Sequence, residues 1–247
     1  MTTWVLDLDG VMWLGDRPIP GSAEAVSRLD EAGHTVAFCT NNSSARLDAY
    51  VGKLVRFGVP ERIATNTVSS ATAAGSLIKP GERVLLCAGD GAREAAEQAG
   101  AEFVVGADEA DSVIVGFHRT FDYDAMLTAT RAVLGGARLL ATNDDPIYPA
   151  SDGPAPGGGA ILASIVAATR AQPVIAGKPH EPMAQLIRRR FGNDGVFIGD
   201  SINTDGAMAA TLGWPFGLVL SGNVVESDEP WQAADLVTLA SDWLEAK

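Results

Sequence analysis

The chain has 247 residues, 47% of them apolar, and a formal net charge of −13. That length and apolar content suit one large domain or two ordinary ones around a sizeable core. The negative charge excludes nucleic acid and anionic membrane as partners, because their phosphates are repelled over most of the surface, yet a small phosphorylated metabolite needs only one local cationic pocket. No basic segment followed by an apolar core opens the sequence, and the longest apolar stretch, Ala160 to Ala168, is far too short to cross a bilayer. A cytoplasmic protein is expected. Cys39 and Cys87 lie in apolar runs, where a reduced thiol packs as a small hydrophobe with no redox or metal role.

In chain order, Trp4 to Leu8 reads as a buried parallel strand, an apolar run bounded by a turn signal. It breaks into Asp7-Leu8-Asp9-Gly10, whose two-residue spacing aims both carboxylates the same way if the extended backbone continues. Two anions that close require either a shared proton or a cation. Met12 to Pro20 is a turn-rich loop beyond them, placed to act as a flap. Ser22 is the expected N-cap of a helix ending at Gly33. Strand Thr35 to Cys39 then runs into Thr40-Asn41-Asn42-Ser43-Ser44 and a helix from Ala45 to Phe57, and Thr65 to Ile78 gives a polar start and an alanine-rich helix. This repetition of strand, polar loop and helix marks a doubly wound α/β sheet, a Rossmann-like core whose ligands bind beyond the carboxyl ends of its strands.

At Lys79-Pro80-Gly81 the rhythm restarts. Strands are expected at Arg83 to Cys87, Glu102 to Val105, Ser112 to Val115 and Arg138 to Ala141, with helices at Ala92 to Ala99, Tyr123 to Leu134 and Gly159 to Thr169. The irregular Thr142 to Gly158 is long enough to be functional. From Gln172 the chain returns to the first domain, through the short strand Val174 to Ala176 and then Gly177-Lys178-Pro179. Helix Pro182 to Arg190, strand Gly195 to Ile198 with Gly199-Asp200 and Thr204-Asp205, a last strand Gly217 to Leu220 and a last loop Ser221 to Asn223 complete it. The expected division is a core of 1–78 and 177–247 with an inserted α/β domain at 79–176.

Four strand ends thus offer Asp7 with Asp9, Thr40 with Asn41, Lys178, and Asp200 with Asp205. Singly, each has an ordinary explanation as a helix cap, a turn or a surface lysine. Gathered on one sheet, they meet the needs of phosphoryl transfer to an aspartate. Clustered carboxylates call for a hard cation, and an oxygen-only set suits Mg²⁺, with Asp7 and Asp200 as side-chain ligands. Mg²⁺ and Lys178 neutralise an incoming phosphate, Thr40 and the Asn41 N–H hold its oxygens, Asp7 attacks phosphorus, and Asp9 serves as general acid and base. Asp205 is assigned to orient Lys178 or a metal-bound water.

The sequence resembles the haloacid dehalogenase superfamily of phosphatases, in the branch with a large α/β cap inserted after the third core strand. The matching stretches are Asp7-Leu8-Asp9-Gly10-Val11 with Pro18-Ile19-Pro20-Gly21, Thr40-Asn41-Asn42-Ser43, Gly177-Lys178-Pro179, and Gly199-Asp200 with Thr204-Asp205; Val115-Gly116-Phe117 and Ala141-Thr142-Asn143 with Asp145-Pro146 extend the likeness into the cap. The resemblance implies a Mg²⁺-dependent phosphatase acting on small monoesters such as glycerol phosphate, phosphoglycolate, nitrophenyl phosphate, sugar phosphates or nucleotide monophosphates. It further implies that Mg²⁺ takes the backbone carbonyl of Asp9, that Asn143, Asp145 and Tyr148 contact the leaving group, and that a homodimer forms through the cap. Ser201, Asn203, Ala209 and His118 depart from the pattern, outside the chemistry. Phosphomutase or phosphotransferase chemistry on the same scaffold stays open; a receiver-like signalling module fits less well, because the Asp-x-Asp pair follows the first strand.

Overall fold

The computed structural model describes residues 1–150, 153–222 and 227–245. The chain separates into two compact units, one of Met1–Thr40, Leu47–Val68 and Lys178 onward, the other of Asn41–Arg46 and Ser69–Gly177.

The first unit is built on a six-stranded sheet in the order Gln232–Ala233, Phe216–Val219, Gly195–Gly199, Thr3–Leu6, Thr35–Thr40, Thr67–Ser69. The opening strand lies inside it with parallel partners on both sides, Val5 facing Phe197 and Ala37. Trp4, Val5 and Leu6 are fully buried, as a strand covered on both faces requires. The chain first adds strands on one side of Thr3–Leu6 and later on the other, so the strand order reverses between Thr3–Leu6 and Gly195–Gly199. A doubly wound sheet opens its ligand crevice at such a reversal.

Several local expectations change. The opening strand stops at Leu6, not Leu8, because the Leu8 carbonyl accepts N–H bonds from Val11, Met12 and Trp13 and turns the chain. The flap region is no open loop: Trp13–Leu14 and Arg17–Pro18 pair as a small antiparallel hairpin around Gly15. Gly21, in the left-handed region, takes the N-cap position of helix Ser22–Glu31, while the Ser22 hydroxyl donates to the Val11 carbonyl at 2.9 Å. A β-carbon at Gly21 would lie 2.6 Å from Val237 Cγ2, which explains the glycine. The stretch from Thr65 divides into strand Thr67–Ser69 and helix Ser70–Gly75, split by a capping box between Ser69 and Thr72. Beyond Phe216–Val219 come strand Gln232–Ala233 and helix Leu236–Glu245, which packs on Ser22–Glu31. Asn223 lies outside the described residues.

The second unit carries a five-stranded sheet in the order Val174–Ile175, Arg138–Ala141, Ser112–Val115, Arg83–Cys87, Glu102–Val104, all parallel. Its period-two alternation supplies two cores. Leu85, Cys87, Val113, Val115 and Leu139 meet Ala129, Ile161, Leu162 and Ile165 of helices Tyr123–Leu134 and Gly158–Thr169. Val84, Ile114 and Leu140 point the other way, onto Ala71, Ala92, Ala95 and Ala96. Small residues there let helices Ser70–Gly75 and Asp90–Gln98 approach closely; a β-carbon on Gly75 would sit 2.7 Å from the Ala95 carbonyl oxygen. Within Thr142 to Gly158, strands Ile147–Ala150 and Gly153–Pro156 form a hairpin, in place of an irregular loop; Ser151 and Asp152 lie outside the described residues. Val174–Ile175 pairs with Arg138–Ala141, so Lys178 follows a strand of the second sheet, not of the first. A two-residue strand is too short to declare its sheet by pattern.

Candidate active site

Asp7 and Asp200 leave the carboxyl ends of adjacent parallel strands, at the reversal of strand order in the first unit. Both are buried. The Asp7 N–H extends the ladder by one bond to the Ile198 carbonyl, 2.8 Å, which fixes where its side chain begins. Asp205 lies in Ile202–Gly206, a wide helical turn whose Gly206 N–H reaches back to the Ser201 carbonyl at 3.1 Å; such one-turn widenings recur at functional sites. Its Oδ2 accepts the Ser201 N–H at 3.1 Å, and its Oδ1 accepts from Lys178 Nζ at 2.7 Å. Lys178 Nζ also donates to Asp7 Oδ1 at 2.6 Å and to the Cys39 carbonyl at 3.5 Å. One ammonium, 3% exposed, therefore ties two carboxylates together.

Three glycines make room for this cluster. A β-carbon on Gly10 would lie 2.3 Å from Asp200 Oδ2, one on Gly222 would lie 2.0 Å from the same atom, and one on Gly199 would lie 2.2 Å from Asp205 Cγ. Gly10 also has φ +80°, open to few other residues. The Ser221 hydroxyl donates to the Gly10 carbonyl at 2.7 Å and so links the two loops that clear Asp200. In the sequence Ser221 and Gly222 read as a loop after the last strand, and that position was the signal that could have joined them to the site.

Burial pushes the Asp7 carboxyl well above the ordinary range; Lys178 opposes this, while Asp205 and Asp200 add to it. For Lys178, burial works against the charge, but Asp205 and Asp7 outweigh it and raise the ammonium well above its usual value. Three carboxylates around one ammonium leave a buried excess of negative charge. Asp7, Asp200 and Asp205 each offer an oxygen, all within 4.8 Å of one another. An oxygen-only donor set with that excess fits a hard divalent cation such as Mg²⁺. Since Asp205 is engaged by Lys178 and Ser201, Asp7 and Asp200 are the side chains that would hold it.

Asp9 is exposed, and its Oδ1 accepts from the Trp13 indole N–H at 2.9 Å. Partial desolvation raises its carboxyl, against the Trp13 hydrogen bond and the charges of Lys53 and Lys178. Thr40 is buried at the end of its strand. Asn41, next in the chain, is packed within the second unit: its carbonyl accepts from Ser70 Oγ at 2.5 Å and Asn143 Nδ2 at 2.7 Å, and its own amide donates to Asp145 Oδ2 at 2.9 Å. Asn143 and Asp145, expected at a leaving group, thus grip Asn41. Tyr148 stacks edge-on to Phe117 and accepts from Arg119 Nη2 at 3.2 Å. Among the described residues no helix is long and apolar enough to cross a membrane.

The first unit is thus an α/β domain whose doubly wound parallel sheet carries a carboxylate–lysine–carboxylate cluster at its strand-order reversal. The family profile for haloacid dehalogenase-like hydrolases matches residues 4–102, and a HAD-hydrolase-like profile matches residues 175–241. A 5'-nucleotidase, YutF, of Bacillus subtilis is 30% identical over 98% of this chain and 96% of its own. Among solved structures, a p-nitrophenyl phosphatase from Archaeoglobus fulgidus superposes with a TM-score of 0.91 at 30% identity, covering 98% of both chains. A glycerol phosphate phosphatase from Mycobacterium tuberculosis, in complex with magnesium, gives 0.86 at 28% identity over 97% of this chain and 77% of its own. The chain belongs to the haloacid dehalogenase-like hydrolases and is a phosphoric monoester hydrolase of that family.

Proposed function

We propose that the protein is a Mg²⁺-dependent phosphatase of small phosphomonoesters that works through an aspartyl-phosphate on Asp7. The observation that carries this is the buried Asp7–Lys178–Asp205 bridge beside Asp200. Asp7 and Asp200, with the Asp9 carbonyl, would hold the metal, whose positive charge draws phosphate oxygens toward a nucleophile that is itself an anion. Lys178 shares that task, held charged by Asp205, while the Thr40 hydroxyl and the Asn41 N–H bind the remaining oxygens. An Asp7 oxygen bonds to phosphorus as the ester P–O bond breaks, and the Asp9 carboxyl passes its proton to the departing oxygen. Asp9, now a carboxylate, takes a proton from water; the water oxygen bonds to phosphorus and the Asp7–phosphate bond breaks, releasing inorganic phosphate.

The range of substrates in the relatives' names, a nucleotide, glycerol phosphate and nitrophenyl phosphate, supports small monoesters as a class. We assign catalysis to residues 1–78 and 177–247 and substrate selection to the inserted 79–176. Tyr148 is the proposed selecting residue, and Asn143 and Asp145 serve through Asn41. Phosphate release from a panel of phosphomonoesters, with Mg²⁺ or chelator, for wild type and Asp7→Asn, tests the proposal. Metal-dependent turnover abolished by the substitution is expected; turnover that survives Asp7→Asn sinks the covalent mechanism.

A further inference from the structure

The hairpin after Asp9 is held by contacts that the chemistry above leaves unused. Trp13 is 2% exposed, although it starts a two-residue strand beside a polar turn. Its indole N–H ends on Asp9 Oδ1 at 2.9 Å. The backbone repeats the link: Gly10 N–H donates to the Trp13 carbonyl at 2.8 Å, and Asp9 and Trp13 form an isolated bridge. On its other face the ring carries Lys53 Nζ, 4.3 Å from the ring centroid, and its edge meets Phe57 at 6.0 Å between centroids. Lys53, from helix Leu47–Arg56, also donates to the Gly15 carbonyl at 2.6 Å and so pins the tip of the hairpin. A cation over an indole face favours the ring orientation that keeps the π surface toward the charge, and it polarises the N–H toward its acceptor.

An exposed aspartate samples several rotamers unless something fixes it. Here the fixing partner is a buried donor clamped by a helix. We infer that Trp13, oriented by Lys53, is a positioning residue that presents the Asp9 carboxyl to the departing ester oxygen. This rests on the role proposed for Asp9. Since one Asp9 oxygen accepts from Trp13, the other is left to carry the proton that passes to the leaving group as the P–O bond breaks.

The test exploits the leaving group. Departure of an alkoxide needs the proton, whereas 4-nitrophenolate departs readily without it. For the Mg²⁺-loaded protein, kcat/KM is measured on 4-nitrophenyl phosphate and on glycerol phosphate for wild type, Asp9→Asn, Trp13→Phe and Lys53→Met. Asp9→Asn is expected to lose roughly 10²–10⁴-fold on glycerol phosphate, the range general acid catalysis supplies, and far less on the aryl ester. Trp13→Phe, which keeps a buried ring but no donor, is expected to lose about tenfold on glycerol phosphate and about twofold or less on the aryl ester, a selective fraction of the same effect. Lys53→Met follows in the same direction and carries the test by itself where Trp13→Phe fails to fold. Equal losses on both substrates, or none, in either variant while Asp9→Asn stays selective overturn the positioning role alone. Loss of selectivity in Asp9→Asn overturns the role of Asp9 and this inference with it.

Discussion

Replacing Asp7 by Asn should stabilise the metal-free protein while destroying its chemistry. Lys178 Nζ sits 2.6 Å from Asp7 Oδ1, an attraction of about 6 kcal/mol at an effective dielectric of about 20. Asp200 and Asp205 offer oxygens within 4.8 Å, so each repels Asp7 by at least roughly 3.5 kcal/mol on the same scale. Attraction and repulsion nearly offset, and the desolvation of a buried carboxylate decides the sign. An Asn side chain keeps an oxygen for Lys178 and removes the charge, for an expected gain of about 1–3 kcal/mol. At roughly 2–4 °C per kcal/mol for a chain of this size, the shift is easily read. The pH dependence has a definite sign. A carboxyl whose folded pKa is raised favours folding while protonated, and that contribution is lost as pH rises from the ordinary carboxyl range through the raised value. Variant and wild type should therefore coincide below about pH 4 and diverge above it. The assay is thermal unfolding in chelator across pH, repeated with saturating Mg²⁺, where the wild type recovers about 2.7 kcal/mol at a hundredfold excess over Kd and the variant less. An Asp7→Asn protein less stable than wild type in chelator at neutral pH would refute the charge account.

Gly222→Ala places a methyl 2.0 Å from Asp200 Oδ2 and must turn that carboxylate aside; calorimetric Mg²⁺ titration should show affinity lower by about 10–100-fold, as for disrupted ligand support. Lys178→Met leaves Asp7 and Asp205 without their shared ammonium, so phosphatase turnover should vanish and stability fall by about 3–5 kcal/mol in denaturant unfolding. Adding Asp7→Asn to Lys178→Met should restore part of that loss, and strict additivity of the two changes would contradict the coupling. Burial pushes the thiols of Cys39 and Cys87 up to about 12, so neither should react with a disulfide reagent in the native protein at pH 8, and both should react after unfolding.

The carboxylates were legible because charge at the end of an apolar run is out of place, and because strand order in a doubly wound fold brings the ends after Thr3–Leu6 and Gly195–Gly199 side by side. Lys178 was legible as a residue but not by origin, since Val174–Ile175 is too short to reveal which sheet it joins. The three-residue strand Thr67–Ser69 was hidden for the same reason. Helix Leu236–Glu245 was readable and was missed: Leu236, Leu239 and Ala240 bury at helical spacing. What Asn143 and Asp145 touch was beyond pattern reasoning, because a polar residue in a loop gives its type and not its partner. Clearance at Gly10, Gly199 and Gly222 was equally invisible, since it is set by side chains arriving from distant segments.

Those glycines bear on how so acidic a chain is to handle an anion. A net charge of −13 repels phosphate at long range, and a cluster of three buried carboxylates repels it at short range. The short-range part cancels by count. Asp205 turns both oxygens to Lys178 and Ser201 and so fixes the ammonium. Asp7 and Asp200 would share the cation in the proposed state, and Lys178 is bonded to Asp7. Three carboxylates against a divalent ion and an ammonium come to zero, so the excess negative charge that would repel a phosphate dianion is cancelled. The balance holds only while Asp200 stays within reach of Asp7, and Gly10 and Gly222 are what leave it that space. The smallest residues at the site therefore govern its charge balance.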